Sequence, residues 1–444
     1  MKAIVIGAGI SGLSCAYLLK KEGFDVTVLE KETQNGGKIQ TIQENGLLIE
    51  AGPNGFLYNE TTIKFIEQTG FLKNLIKAKQ SSNRKFIYDG RLYEIPTKQQ
   101  KLLIDNFLSI KSKLALLKEP FVKPNPNDET VAEFVTRRLG KEFLDKLIGP
   151  MSLGIYAADP YSMSITSNFK RIKEIELKYG SLIKGLVSLM KQKKANTSSA
   201  SGQFAKELYS FKEGMQSFTD HIAKSVNVLN KQNVVSIEKA SKYVVYTNID
   251  RFEADIVVFT APSFEVAKII QNLDNKLSKS LVNIPYSPIV LVALAFSKKF
   301  ANKVVDSYGY LFDLNKIDKT IGVLFDSSIF ENRSPEDRFL VRMFLGGALR
   351  PSVVQKSNFE ILQIALAELQ RSAKIFAPFE YYKIIKYTSA IPQYLLNHKE
   401  IIKQIQEFES KNTGLYFLGN AFYGVGFNDC ISNSYNLIKT IKSI

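Results

Sequence analysis

Gly7-Ala8-Gly9-Ile10-Ser11-Gly12 lies between a short apolar strand, Lys2 to Ile6, and a run with helical spacing, Leu13 to Glu22. Glycines at this spacing bring main chain to a diphosphate. Gly7 permits the tight turn, Gly9 leaves room for the pyrophosphate, and Gly12 lets the helix pack close to the sheet. The N-terminus of that helix, from Ile10 and Ser11 onward, offers unpaired N–H groups and the positive end of a dipole. Asp25 to Leu29 reads as a second strand and ends on Glu30, 18 residues after Gly12. A carboxylate there can accept from an adenosine ribose hydroxyl. The unit is strand–turn–helix–strand, the context a dinucleotide requires. Lys2 before an apolar run also resembles the start of a signal peptide, but the glycines interrupt the run and the sheet pattern continues past it.

Further stretches extend the same chemistry. Glu30 and Lys31 lead into a loop with Gly36-Gly37-Lys38, which suits a backbone folding over a diphosphate. An NAD site does not need this second loop, whereas an FAD site often has one. Gly52-Pro53-Asn54 ends another strand in a turn, where backbone can approach a flat ring system. Near the C-terminus a strand ends in Gly419-Asn420. Gly424-Val425-Gly426-Phe427 then leads into a helix expected from about Cys430 to Lys442. A second helix N-terminus reached through glycines suits the negative charge that reduced flavin carries on its pyrimidine ring. The strand around Val235 and the buried strand ending at Thr260-Ala261 read as a return to the dinucleotide domain. No second GxGxxG occurs, so electrons should come from the substrate itself. That favours an oxidase or dehydrogenase over a reductase or monooxygenase.

Composition narrows the class. The 444 residues allow two or three domains, and 45% hydrophobic content argues against disorder. The longest apolar run, Ile289 to Phe296, is far short of the roughly 20 residues that span a bilayer. Two cysteines, Cys15 and Cys430, suggest a reduced, cytoplasmic chain, and no Cys/His spacing suggests a metal site. His221 and His398 are the only histidines and read as surface or capping residues. A Ser–His–Asp hydrolase is therefore disfavoured, and any chemistry falls to a cofactor. The net charge of +16 points to anionic partners: nucleic acid, a membrane surface or an acidic small molecule.

The elements that must position these residues can be read coarsely. Arg84 to Pro96 is a hairpin across Asp89-Gly90. Lys101 to Lys118 and Asp128 to Arg138 are helices. Gly149-Pro150 closes the helical region, with a loop at Leu153 to Pro160. Lys170 to Lys212 holds ten bases and three acids. It encloses an apolar helical run, Ser181 to Met190, and a flexible loop, Ala195 to Gly202. This is either a solvated helix and its linker or a surface that meets anionic headgroups. Strands at 289–296, 309–312, 321–325 and 339–345 form a mixed sheet, followed by a helix at 359–374 and a strand at 382–387. The expected fold is α/β, with three parts. They are a discontinuous Rossmann-like FAD-binding domain (1–60, 206–270, 405–444), a mixed-sheet substrate domain (61–97, 271–404) and a helical, membrane-contacting domain (98–205).

Taken together, these motifs resemble the flavin-containing amine oxidase superfamily and, within it, the protoporphyrinogen and coproporphyrinogen oxidases. Gly7 to Gly12 with Glu30 marks the superfamily. Gly154-Ile155-Tyr156-Ala157 and Gly424-Val425-Gly426-Phe427-Asn428-Asp429-Cys430 are similar to the porphyrinogen oxidases specifically. Three positions depart. Ala158 stands where the family usually has Gly, Asn428 where it has Pro, and Asn433 where it has Gly or another small residue. The resemblance implies non-covalent FAD and six-electron oxidation of a porphyrinogen to a porphyrin, with dioxygen or a quinone as acceptor. It also implies that Arg84 holds a propionate, with Gly154, Tyr308, Leu311, Phe325 and Met343 as candidates for the walls of a flat slot. Protoporphyrinogen IX leads over coproporphyrinogen III, and a flavin amine oxidase is a further alternative. Candidate partners are the inner face of the cell membrane, ferrochelatase and a second copy of the chain. Nucleic acid is not expected.

Overall fold

The computed structural model describes residues 1–96, 106–195 and 207–442. In chain order the strands used below are β1 (Lys2–Ile6), β2 (Asp25–Leu29), β3 (Thr41–Glu44), β4 (Leu47–Glu50), β5 (Lys85–Tyr88), β6 (Leu92–Glu94), β7 (Asn227–Leu229), β8 (Val234–Lys239), β9 (Ile256–Phe259), β10 (Tyr286–Ser297), β11 (Gly309–Phe312), β12 (Thr320–Phe325), β13 (Arg338–Gly346), β14 (Phe379–Pro392) and β15 (Leu415–Phe417). The helices are α1 (Ile10–Lys21), α2 (Glu60–Gln68), α3 (Ile110–Lys118), α4 (Val131–Leu139), α5 (Gly149–Tyr156), α6 (Lys170–Tyr179), α7 (Leu182–Ala195), α8 (Asn358–Glu368), α9 (His398–Lys411) and α10 (Phe427–Lys442).

The chain forms two compact units. One draws on 1–77, 204–285 and 397–444, the other on 78–203 and 286–396. The first holds a parallel five-stranded sheet, β7-β2-β1-β9-β15. Its strands are nearly continuous apolar runs because both faces are covered, and Val5, Val28 and Val258 are fully buried. This unit reaches Lys77 because Leu75–Lys77 pairs with Leu208–Phe211 and α2 packs on α10. It reaches Pro285 because the helix Asn275–Val282 packs on α9, with Ser280 Oγ donating to Gln404 at 2.7 Å.

The second unit holds a mixed seven-stranded sheet, β14-β10-β13-β12-β11-β5-β6. The expected hairpin is its β5–β6 edge. One face packs on α8 through Val292, Val323, Phe325 and Met343 against Ile361, Leu362 and Ala365.

The helical segment of this unit is closed by a buried charge network. The Arg138 guanidinium donates to Glu119 at 2.9 Å and to Glu176 at 2.8 Å. Arg137 and Lys173 both reach Glu129, at 2.6 and 2.8 Å, and both reach Glu176, at 2.8 and 2.9 Å. Glu119 also accepts from the N–H groups of Leu182 and Ile183, capping α7. Three carboxylates thus meet three cations, so no charge is left buried alone.

Two sequence expectations change here. Gly149-Pro150 opens α5 rather than closing the helical region, because a proline in the first turn lacks only an N–H that would be unpaired anyway. The helix runs through Leu153 to Tyr156, and Ala157 ends it in the left-handed region (φ 50°). The C-terminal helix starts at Phe427, ahead of the expected Cys430. Residues 101–105 of one expected helix and 196–202 of the expected flexible loop lie outside the described residues.

Candidate active site

In the first unit, the glycine turn, Glu30 and the second glycine loop converge at the C-terminal ends of β1, β2 and β9. A Cβ on Gly12 would sit 1.9 Å from the Gly7 carbonyl oxygen, so no other residue fits there. A Cβ on Gly9 would meet nothing within 4 Å. Main chain at Gly9 therefore faces open space, as a pyrophosphate site requires. Gly36 bridges Gly9, and its N–H donates to the Ala8 carbonyl at 2.8 Å. Gly37 stands beside Gly9, its Cβ position 3.4 Å from the Gly9 Cα. The two glycine loops thus form one cradle at the start of α1, where Ile10 and Ser11 are buried.

Glu30 is buried, and its carboxylate accepts from the N–H of Ala8 at 2.7 Å and of Glu32 at 2.9 Å. Each oxygen keeps a lone pair for a further donor. The Gln232 N–H donates to the Glu30 carbonyl at 2.8 Å, so β8, with half-exposed Val235, departs from beside Glu30. Lys31 pairs with Glu265 at 3.1 Å. Burial, with the like charge of Lys31, lowers the pKa of Lys38. Thr260 donates to the Ile6 and Gly7 carbonyls at 2.7 and 3.0 Å, and Ala261 lies beside Gly7. In the Gly52-Pro53-Asn54 turn, the side-chain Nδ2 of Asn54 is buried without a partner among the described residues. An orphaned buried donor calls for an acceptor.

The C-terminal loop completes this side. Gly419 lies against Thr260, and the following Asn420 and Val425-Gly426 lead into α10. α10 runs along α1, with the Ser14 and Ser434 hydroxyls 2.7 Å apart and Ser434 donating to the Ser11 carbonyl at 3.3 Å. Phe427 stacks on Phe56 at 4.8 Å. Open space at Gly9, the unpartnered Asn54 amide and two helix N-termini fit a dinucleotide with a polar ring system. Cys430 is buried, and burial pushes its thiol up to about 11, so it is not an activated nucleophile for a covalent link. His398, expected at the surface, is instead buried at the start of α9, with Nε2 3.1 Å from the Phe422 carbonyl. Burial lowers its pKa to about 4 and keeps it neutral.

In the second unit, strand register sorts the substrate candidates. Cross-strand partners Lys85, Gly309, Leu324 and Arg342 form one row of the sheet. Ile87, Leu311, Gly322 and Phe344 form the next row on the same face. Gly154 of α5 packs there, with its Cβ position 2.5 Å from a Leu311 methyl. Gly154 and Leu311 are therefore brought together. Phe325 and Met343 are not. Both are fully buried on the opposite face against α8, because side chains alternate along a strand and Met343 follows Arg342.

Arg84, the expected propionate ligand, also lies on that opposite face. Its fork is filled by Glu94, at 3.3 and 3.4 Å, and by the carbonyls of Lys303 and Asp306, at 3.3 and 2.9 Å. Lys85, the next residue, is a cation on the Gly154 face that the sequence reading did not single out. Its ammonium lies 5.0 Å from the centroid of the Tyr308 ring and has no carboxylate partner among the described residues. The residue is partly open to solvent, and desolvation by the surrounding protein lowers its pKa. Arg342, on the same row, is fully buried and neutralised by Asp326.

The family model described as flavin containing amine oxidoreductase matches residues 10–436. The mitochondrial protoporphyrinogen oxidase of Nicotiana tabacum is 28% identical over 479 aligned residues, covering 100% of this chain and 95% of the relative. The coproporphyrinogen III oxidase of Bacillus subtilis is 26% identical over 453, covering 96% and 95%. A crystal structure from Exiguobacterium sp. 255-15, provisionally named protoporphyrinogen oxidase, shares the fold with a TM-score of 0.82 at 22% identity, covering 99% and 98%.

Proposed function

Because the chain belongs to the flavin-containing amine oxidoreductase family and is an FAD-dependent oxidoreductase, we infer that it is a porphyrinogen oxidase of heme biosynthesis. It takes six electrons from protoporphyrinogen IX and passes them to dioxygen or a quinone. The observation that carries the reading is Lys85, without a carboxylate partner among the described residues, on the sheet face that also carries Leu311, Leu324 and Phe344 and the ion-paired Arg342. An ammonium without a carboxylate of its own suits a propionate, and the apolar rows suit a flat macrocycle. When bound, FAD supplies the acceptor for two electrons at a time. The protein's part is to hold and orient. The Gly9 cradle and the start of α1 would hold the pyrophosphate, Glu30 the ribose and the Asn54 amide an acceptor of the cofactor. The start of α10 faces negative charge.

Lys85, without a carboxylate partner among the described residues, favours a substrate whose carboxylates share one edge, as in protoporphyrinogen. The Bacillus relative keeps coproporphyrinogen III, with propionates on all four rings, as the second reading. The test is to give both porphyrinogens to the flavin-loaded protein and record porphyrin fluorescence. Porphyrin formed faster from protoporphyrinogen supports the first reading, and the reverse order supports the second. No oxidation of either would overturn the assignment.

A peripheral membrane contact is part of the same reading. α3 and the turn after it expose Ile110, Leu114, Leu117 and Phe121 as one stripe, and α7 exposes Ile183, Leu186, Val187 and Met190 as another. Lysines 111, 113, 118, 184 and 191 flank them, and the one acid there, Glu119, is buried. Lys173 belongs to the buried network and leaves the basic set proposed from sequence. Among the described residues no helix is long and apolar enough to cross a bilayer, so the contact is with the anionic surface of the membrane.

A further inference from the structure

The geometry points to Asn428 and Asn433 as positioning residues for the flavin, fixing with side-chain amides the loop that leads into α10. The loop from Gly419 to Gly426 links β15 to α10. The N–H groups of Phe422 and Tyr423 reach the Gly419 carbonyl at 3.2 and 3.4 Å. The Cys430 N–H reaches the Gly426 carbonyl at 3.1 Å, and side chains add further bonds. The Asn433 amide donates to the Tyr423 carbonyl at 2.7 Å, from the second turn of α10. His398 meets the neighbouring Phe422 carbonyl at 3.1 Å, and Asp429 accepts from the Gly426 N–H at 3.1 Å.

Asn428 fixes the other end. Its amide donates to the Leu57 carbonyl at 2.9 Å, and its oxygen accepts from the Thr62 hydroxyl at 2.8 Å. Thr62 is fully buried in the first turn of α2, and its own N–H is capped by Asn59 at 3.0 Å. Asn428 therefore joins the N-termini of α2 and α10. A proline at 428 would restrict φ with no such bonds. A glycine at 433 would offer the Tyr423 carbonyl no side-chain donor. Two hydrogen-bonded amides thus tie the loop and the start of α10 to their surroundings.

The consequence lies at the start of α10. Its unpaired N–H groups can favour negative charge only while the loop holds them in place. Loosening the loop should therefore weaken binding of reduced FAD, which carries that charge, more than binding of oxidised FAD.

The test uses the full chain, stripped of flavin and titrated with oxidised and reduced FAD. Asn433→Ala and Asn428→Ala should each weaken oxidised FAD about threefold and reduced FAD about tenfold, the scale of one lost hydrogen bond. The flavin potential should fall accordingly. Thr62→Val, which removes one of the two Asn428 bonds, should show the same preference for loss of reduced FAD at a smaller size, and Thr62→Ser should not. Asn428→Pro should stay within about twofold of wild type, since proline suits the first turn of a helix. Equal losses for both oxidation states, with a lowered apoprotein Tm, would reduce the residues to a structural role and overturn the proposal. Wild-type affinities in all the alanine variants would overturn it as well. If Asn433→Ala does not fold, the Thr62 pair decides, because it loosens the same loop without touching α10.

Discussion

Arg84 and Lys85 are consecutive in the chain and point to opposite faces of one sheet. Arg84 lies over the Phe86 ring at 5.5 Å and pairs with Glu94 at 3.3 Å, while Lys85 shares a row with Gly309 and Leu324. The difference separates a surface ion pair from a candidate ligand for the substrate.

Lys85→Ala should raise KM for the porphyrinogen about ten- to a hundredfold with little change in kcat, as expected when a charge-assisted hydrogen bond is lost equally in ground and transition states. Arg84→Ala should leave KM alone and cost about 0–1 kcal/mol of stability, since its pair is exposed. The lowered pKa of Lys85 adds a signature. Its charge is lost at a lower pH than for a free lysine, so KM should rise on the alkaline side, and Lys85→Arg should remove that rise. Steady-state kinetics against pH provide the check. An alkaline rise that persists in Lys85→Arg would point to another group.

Gly9 and Gly12 should fail in different ways. Gly9→Val has space for its side chain and should fold, but it should lose flavin at least tenfold because the branch occupies the pyrophosphate position. Gly12→Ala would place a methyl 1.9 Å from the Gly7 oxygen and should compromise the fold itself. Flavin absorbance and a thermal melt on each variant separate the two. Full flavin occupancy in Gly9→Val would contradict the assigned cradle.

Binding to vesicles should require anionic lipid and weaken as salt rises, with up to about 1 kcal/mol per base near the surface, screened within a Debye length. Leu117→Asp and Met190→Asp should each weaken it further by placing a charge in an apolar stripe. Sedimentation with neutral and anionic vesicles reads both effects. Equal partition into the two lipids would leave the stripes as ordinary solvated helix faces.

Glu409 should make stability depend on pH. Burial pushes its carboxyl up to about 7, and it accepts from the Phe417 N–H at 2.8 Å. The folded chain keeps a proton that the unfolded chain releases near its ordinary pKa. Stability should therefore fall as pH rises from about 4.5 to about 7, and level off above. Glu409→Gln should gain on the order of 2–3 kcal/mol relative to wild type between pH 5 and pH 8. Denaturant titrations at those two pH values test this. An unchanged difference would mean that Glu409 is ionised throughout.

The cofactor side was legible because its chemistry is local. Gly7, Gly9, Gly12 and Glu30 fall within one strand–turn–helix–strand unit, and neighbours in sequence are neighbours in space. The substrate side was not. Whether Lys85 or Arg84, Leu311 or Met343, shares a face with Gly154 depends on register between β5, β11, β12 and β13, which are separated by long stretches of chain. A shift of one residue exchanges the faces. Lys173 read as one more surface base because its partner Glu129 lies 44 positions away. Pro150 read as a stop because proline opens helices as readily as it follows them.

The contact between Ser14 and Ser434 joins positions 420 residues apart. The first glycine turn emerges from the ribosome early, yet the helix beside it and the β15 edge of its sheet come from residues beyond 414. At roughly 5–20 residues per second, the N-terminal βαβ unit waits tens of seconds for those partners. During that time β9 is an open sheet edge and the α1 face that α10 later covers is bare. Flavin cannot meet a finished cradle until the residues beyond 414 have joined it. Chains stalled or cleaved before residue 415 should be colourless and prone to aggregate, however intact their glycine motif.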